Sequence, residues 1–127
     1  MLADLPGVTE GENGWGAHNC LTKAGQIAWV RSANQSDIDQ LADEGRSWPE
    51  GTTIAVRVAS IDERAALIDE DPAVFFTIPH FRSWPSVLLV LDRIDPERLE
   101  EVLLDGWILR VPKKVSAAWL SEHGYDA

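Results

Sequence analysis

The chain has 127 residues, of which 45% are hydrophobic. This length fits one domain spanning residues 1–127, which can bury a core without disulfides or a structural metal. Its single cysteine, Cys20, excludes an internal disulfide and a C-x-x-C metal or redox pair. The formal net charge of −10 argues against binding to a polyanion unless the few cations gather on one face. No apolar run approaches the roughly 20 residues of a membrane span, and no secretory leader is visible, so we expect a cytoplasmic protein without membrane contact.

A strand hairpin is predicted near the N-terminus. The Pro-Gly pair at residues 6–7 first indicates a turn or a helix exit. Residues 15–20 and 26–31 then suit strands, and the Ala-Gly pair at residues 24–25 supplies the turn between them.

The middle of the chain predicts a helix, a strand and a second helix. Residues 37–44 form the first helix, with Ser36 as its N-cap. Residues 52–59 alternate apolar and polar side chains, the period-2 pattern of a strand. Ser60, with Glu63 three residues later, indicates a capping box for the second helix. The inward face of that helix is predicted to carry Ile61, Ala65 and Ile68.

The C-terminal half predicts one buried strand and two helices. Residues 86–93 contain the apolar run VLLVL and form the strand. Asp95 caps the next helix, with Pro96 at its favoured first position, and residues 113–122 form the last helix. Strands without strict βαβ alternation predict an α+β fold, in which helices pack on one face of an antiparallel sheet.

One long segment resembles the hallmark of a known family. Residues 71–81 read DPAVFFTIPHF, and residues 84–92 continue with WPSVLLVLD. This segment resembles the D-P-x-x-F-F-T-x-P-H-[FY] motif, followed by an apolar strand ending in L-D, of the MmcQ/YjbR family. LPGVTE at residues 5–10 is similar to the family's L-P-x-V-x-E start, and GWILRVPKK at residues 106–114 to its A-W-x-x-x-x-P-K-[RK] ending. The resemblance implies a two-layer fold with a curved antiparallel sheet, described as a double wing, and the family label implies DNA binding.

Two features depart from the family pattern. Members usually place a helix before the L-P segment, whereas only four residues precede it here, so either that helix is absent or the natural start lies upstream. Gly106 stands where the family has alanine, which weakens a helix interior by up to about 1 kcal/mol.

Two segments, residues 13–36 and 106–121, carry only basic charges and supply candidates for an anion contact. Lys113 and Lys114 follow Pro112 at a predicted helix start, where free N–H groups and the helix dipole favour an anion. The alternative is that both lysines are simply solvated. The predicted anion or nucleic-acid contact consists of Lys23, Arg82, Arg110, Lys113 and Lys114.

His80 lies in an aromatic segment stiffened by prolines. Its ring either bonds a backbone carbonyl and fixes the turn, or contacts a ligand at the mouth of a pocket. Phe75 and Phe76 are adjacent, so one is predicted to face the core and the other the opposite side. The predicted pocket or contact surface consists of Phe76, His80, Phe81 and Trp84.

No catalytic centre, metal site or cofactor is predicted. The three histidines form no H-E-x-x-H pattern, and no G-x-S-x-G elbow or Gly-rich phosphate loop is present. Cys20 lies among apolar and small residues and is interpreted as a buried side chain rather than a nucleophile. We therefore expect a non-enzymatic binding protein. Its partner is a nucleic acid by family resemblance, or alternatively a protein or a small anionic metabolite.

Overall fold

The computed structural model describes residues 4–12 and 18–124 of the chain. None of the helices in these residues is long and apolar enough to cross a membrane. The described strands are β1 (Thr9–Glu12), β2 (His18–Thr22), β3 (Gly25–Val30), β4 (Thr53–Arg57), β5 (Phe75–Phe76) and β6 (Ser86–Val90). The described helices are α1 (Gln35–Asp43), α2 (Ile61–Glu70), α3 (Pro96–Ile108) and α4 (Lys113–Glu122).

The six strands form one sheet in the order β1-β2-β3-β4-β6-β5. Every neighbouring pair is antiparallel. The predicted α+β class with an antiparallel sheet is therefore confirmed. Of the predicted first hairpin strand, residues 15–17 lie outside the described residues.

Two hydrophobic clusters lie on opposite faces of the sheet, because successive residues of a strand point to opposite sides. The first face carries Val56 and Val87, and α2, α3 and α4 pack against it. The second face carries Ala55 and Leu88, and it is covered by Leu41 of α1 and by a 3-10 turn at Pro79–Phe81. Both faces of the central strands are thus buried, and α1 stands apart from the layer formed by the other three helices.

The N-cap of α1 is Asn34, so the prediction of Ser36 was wrong. The Asn34 side chain accepts from the Asp37 backbone N–H at 2.8 Å, and the Asp37 carboxylate accepts from the Asn34 N–H at 3.1 Å. Asp37 is buried and also pairs with Arg31 at 2.8 Å. Asparagine and serine both favour the N-cap position, and the reciprocal hydrogen bonds with Asp37 are available to Asn34 but not to a serine two residues later.

The β2–β3 turn also differs from the prediction. Thr22 pairs with Gly25, so the turn residues are Lys23 and Ala24. Gly25 begins β3 with a φ of +133°, a conformation that side chains other than glycine rarely adopt. Strand β1 was not predicted, since its sequence TEGE has no apolar alternation and it pairs only with β2 at the sheet edge.

A β-bulge in β3 shapes the first face. The pairing shifts from Cys20↔Ala28 to Leu21↔Gln26, which leaves Ile27 without a partner opposite. Ile27 is fully buried and packs with Ala28 in the cluster of the first face. Gly106 of α3 lies against this position, because a Cβ there would be 3.3 Å from Ile27 Cγ2 and 3.1 Å from the Arg57 carbonyl oxygen.

Candidate functional site

Three cations lie at one end of the sheet. Lys23 lies in the β2–β3 turn, Arg57 ends β4, and Arg82 lies in the loop that leads into β6. Arg57 pairs with Ser86, the first residue of β6, so β4 and β6 bring their ends together. We call Lys23, Arg57 and Arg82 the basic end. Neighbouring strands lie about 4.8 Å apart, so the turn, the end of β4 and the start of β6 span about 12 Å.

The three cations of the basic end have no carboxylate within ion-pair distance among residues 4–12 and 18–124, whereas Arg31, Arg46 and Arg98 are all paired there. Lys23 and Arg82 are exposed, and Arg57 is half-buried. Their positive charge is therefore available to a ligand.

Arg110 supports the hairpin turn from behind. Its Nε donates to the Gln26 carbonyl at 3.1 Å and its Nη1 to the Ala24 carbonyl at 3.0 Å. The Thr22 hydroxyl donates in turn to the Arg110 carbonyl. Burial, and then the nearby charge of Arg57, lower the pKa of Arg110. This guanidinium thus holds the turn that presents Lys23, and two of its donors are already in use.

Lys113 and Lys114 begin α4 and are exposed. Pro112 precedes them and provides no side-chain cap. The chain from Arg110 to Lys113 reaches at most about 11 Å, so α4 begins close to the hairpin turn. The structure brings Lys23, Arg110 and these two lysines into one region at the level of the backbone. Their role as anion contacts stays a prediction.

The loop before β6 is held by a buried arginine that the sequence patterns did not indicate. Arg64 of α2 is only 6% exposed. Its Nη1 donates to the carbonyls of Phe81 at 2.7 Å and Trp84 at 2.9 Å. Its Nη2 donates to the Arg82 carbonyl at 3.3 Å. The guanidinium thereby fixes the loop that carries Arg82 and Trp84.

The inward face predicted for α2 was wrong, because Arg64 rather than Ala65 points toward the loop before β6. Ile61 is 38% exposed and Ala65 is exposed, while Arg64 points inward beside the half-buried Leu67 and Ile68. An arginine normally indicates a solvated helix position, and only the carbonyls of a distant loop make its burial favourable.

An aromatic cluster on the second face adjoins the basic end. Trp84 is 44% exposed, and its ring centroid lies 6.4 Å from that of Trp29 and 6.0 Å from that of Phe81. Phe81 is 2% exposed and supports Trp84 from within the core, so its ring offers no contact surface to a ligand. Trp84 is the member of this cluster that solvent reaches.

The remaining predicted pocket residues lie farther along this face. His80 is exposed, its ring lies 5.9 Å from that of Phe81, and it makes no hydrogen bond to a residue in the described part of the chain. The carbonyl contact proposed to fix the turn is therefore not observed for His80. Phe75 is buried on the first face, and Phe76 is half-buried on the second, where Trp48 packs edge-on at 5.4 Å, so the two phenylalanines point to opposite sides as predicted.

Cys20 is buried in the cluster of the first face. Burial, and then the charge of Glu10, raise the pKa of its thiol, which keeps the group neutral at pH 7. Among the described residues no group of three histidine, cysteine, aspartate or glutamate side chains could hold a metal ion.

Arg57 is the second site residue that the sequence patterns missed. It ends a strand of alternating apolar residues, where a single charged residue is typical of solvent exposure. Its position at the same end of the sheet as Lys23 and Arg82 depends on pairing among strands that are far apart in sequence, so local patterns contain no signal for it.

The chain is similar to known proteins over most of its length. A sequence model described as YjbR matches residues 3–109. The uncharacterised protein Mb2600 of Mycobacterium bovis is 37% identical over 98 residues, covering 77% of this chain and 76% of that protein. The uncharacterised protein Rv2570 of Mycobacterium tuberculosis matches with the same identity and coverage. No solved structure matches significantly. The chain belongs to the YjbR family.

Proposed function

We propose that this protein is a non-enzymatic binding protein that holds a nucleic-acid strand at the basic end. The observation that carries this proposal is that three cations without carboxylate partners among the described residues, Lys23, Arg57 and Arg82, belong to elements at one end of the sheet, where Trp84 is also exposed. Each strand of B-form DNA carries one phosphate per about 3.4 Å of helix axis, and phosphates of an unpaired strand lie farther apart, so the roughly 12 Å of the basic end is on the scale of two to three consecutive phosphates.

Trp84 favours an unpaired strand over a duplex. Proteins that bind single strands combine a track of cations with aromatic rings on which bases stack, and each stacked base contributes about 1–3 kcal/mol. Trp84 is 44% exposed and follows Arg82 by two residues. A phosphate at Arg82 would therefore place its base within reach of the indole ring.

The surroundings of Cys20 and His80, a candidate nucleophile and a candidate general base, support a binding role rather than catalysis. The Cys20 thiol is buried and kept neutral by its raised pKa, so it is a poor nucleophile. His80, the histidine nearest the aromatic cluster, contacts Phe81 rather than a nucleophile that it could activate.

The net charge of −10 limits affinity but leaves the mode of binding possible. Long-range repulsion slows the approach of a polyanion, and salt screens both this repulsion and the local attraction of the basic end. We expect weak, strongly salt-dependent binding that is best measured below physiological ionic strength.

The experiment that tests the proposal is fluorescence anisotropy of labelled oligonucleotides at low salt. The wild-type protein should bind a single strand more tightly than a duplex of the same sequence. The variant R57Q/R82Q should bind at least about tenfold more weakly, because two phosphate contacts are lost. The variant W84A should lose much of the preference for the single strand.

The matched control is R46Q/R93Q. It removes the same charge from two arginines outside the basic end, which contact Glu44 and the carbonyl of Ala73 respectively. If both double variants weaken binding equally, the effect comes from net charge alone, and the basic end is not a specific binding site. If no strand binds, while phosphate or a nucleotide raises the Tm, the small-anion alternative takes the place of the nucleic acid.

A further inference from the structure

A cleft of about 380 Å³ opens between α2 and α3 on the first face. Ala66 and Leu67 of α2 line one wall, Val102 and Ile108 of α3 line the other, and Val58 after β4 also lines the cleft. Small-molecule sites are typically concave, mostly apolar and about 300–1,000 Å³ in volume, so this cleft lies at the lower end of that range.

The two ends of the cleft differ in charge. At one end Arg98 bridges the two helices, with its Nη2 at 2.7 Å from Glu70 and its Nη1 at 2.8 Å from Glu101. Glu63 and Asp105 also line the cleft, and neither has an ion-pair partner in the part of the chain that the structure describes. Glu70 ends α2 and belongs to the Arg98 bridge, whereas Glu63 lies near the start of α2 and therefore toward the opposite end of the cleft. Asp105 follows Arg98 by seven residues on α3 and lies toward the same end as Glu63.

Asp105 is an exposed residue at the rim of the cleft, and its surroundings disfavour the charged form. Partial burial raises the pKa of Asp105, and the charges of Glu101 and Glu63 raise it further against the opposing effect of Arg98. The remaining charged groups that line the cleft are Glu70 and Arg57. A cation entering beside Asp105 and Glu63 would relieve this repulsion, whereas an anion would add to it.

We propose that this cleft binds a small organic cation, in which an ammonium group lies between Glu63 and Asp105 and an apolar body lies over Ala66, Leu67 and Val102. Arg98 is already held by two carboxylates, so the cleft offers no free guanidinium at that end for an anionic ligand. The site is separate from the basic end, except that Arg57 borders both, and the inference does not depend on nucleic-acid binding.

The test uses three probes of similar size and different charge: 2-phenylethylamine, 2-phenylethanol and 3-phenylpropionate. Titration calorimetry at pH 7 should show binding of the amine at millimolar concentration and at least tenfold weaker binding of the alcohol and the carboxylate. Amine affinity should fall as the pH drops toward the raised pKa of Asp105, because the protonated carboxyl no longer attracts the ammonium group.

Three variants locate the site, and two further variants are controls. D105N and E63Q should each weaken amine binding at least fivefold, and A66F, which fills the cleft, should abolish it while the circular dichroism spectrum stays unchanged. E100Q is the matched control, since Glu100 lies on α3, is exposed and does not line the cleft. R82Q should bind the amine as the wild type does, which separates this result from the proposed nucleic-acid contact.

Any of three results overturns the inference. The first is equal binding of the amine, the alcohol and the carboxylate. The second is unchanged amine affinity in both D105N and E63Q, and two variants are used so that misfolding of one leaves the other to decide. The third is no binding of the amine up to its solubility limit.

Discussion

At the scale of single residues, Arg64 does most to shape the candidate site. Arg64 is 6% exposed, and its guanidinium donates to the carbonyls of residues 81, 82, 84 and 86. Burial lowers the pKa of Arg64, but an arginine remains charged at neutral pH even so. One side chain from α2 thus adds donors to four carbonyls of this loop, two of which, those of Phe81 and Trp84, also accept from backbone N–H groups within the loop.

We predict that R64K lowers the free energy of unfolding by about 3 kcal/mol, because a single ammonium group cannot replace the planar, charged fork that contacts four carbonyls of the loop. Urea denaturation followed by tryptophan fluorescence measures this loss. The control R93K alters an exposed arginine with a single carbonyl contact and should cost less than about 1 kcal/mol. Equal effects of the two variants would mean that the buried guanidinium does not hold the loop.

At the scale of elements, α3 crosses β4 unusually closely at Gly106. A Cβ at this position would lie 3.1 Å from the Arg57 carbonyl oxygen and 3.3 Å from Val56 Cγ1. From the sequence, Gly106 is only a weak point in a helix. In the fold it lets the helix approach the strand that ends in Arg57, so the glycine has a packing role.

We predict that G106A lowers the free energy of unfolding by about 1 kcal/mol. Crowding of the added methyl group against a rigid strand destabilises the fold by about 1–3 kcal/mol, and the better helix propensity of alanine offsets up to about 1 kcal/mol of this loss. Thermal and urea denaturation measure the net change. A65G, at an exposed position of α2, gives the propensity contribution alone. An increase in stability for G106A would contradict the close approach.

The elements that the sequence predicted well are those with strong local patterns. Strands β4 and β6 are apolar and central, and α4 was predicted with the bounds that the structure shows, Lys113–Glu122. The inward Arg64 was missed because it is selected by contacts with a loop distant in sequence. The N-cap Asn34 was missed although its capping box with Asp37 is local in sequence. The candidate site shows the limit of local patterns. Lys23 was proposed from a locally basic segment and Arg82 as a residue expected to join the patch, whereas Arg57 joins them only through strand pairing.

At the scale of the whole molecule, the protein combines an acidic body with one end that carries available cations. The net charge of −10 comes from 21 acidic and 11 basic residues. Several of the basic residues bind partners within the protein. Arg31 pairs with Asp37, Arg98 pairs with Glu70 and Glu101, and Arg110 donates to the hairpin carbonyls. The central claim is that Lys23, Arg57 and Arg82 act together on one strand of phosphates despite the opposing net charge.

The salt dependence of single-strand binding tests this claim most directly. Three phosphate contacts predict a slope of about −2 in a plot of the logarithm of the association constant against the logarithm of salt concentration, from roughly 0.7 counterions released per contact. The measurement is anisotropy of a labelled single strand over about 20–200 mM salt. A slope near −2 for the wild type that falls to about −0.7 in R57Q/R82Q is the predicted result. A slope near zero, or one that the double variant leaves unchanged, would contradict it.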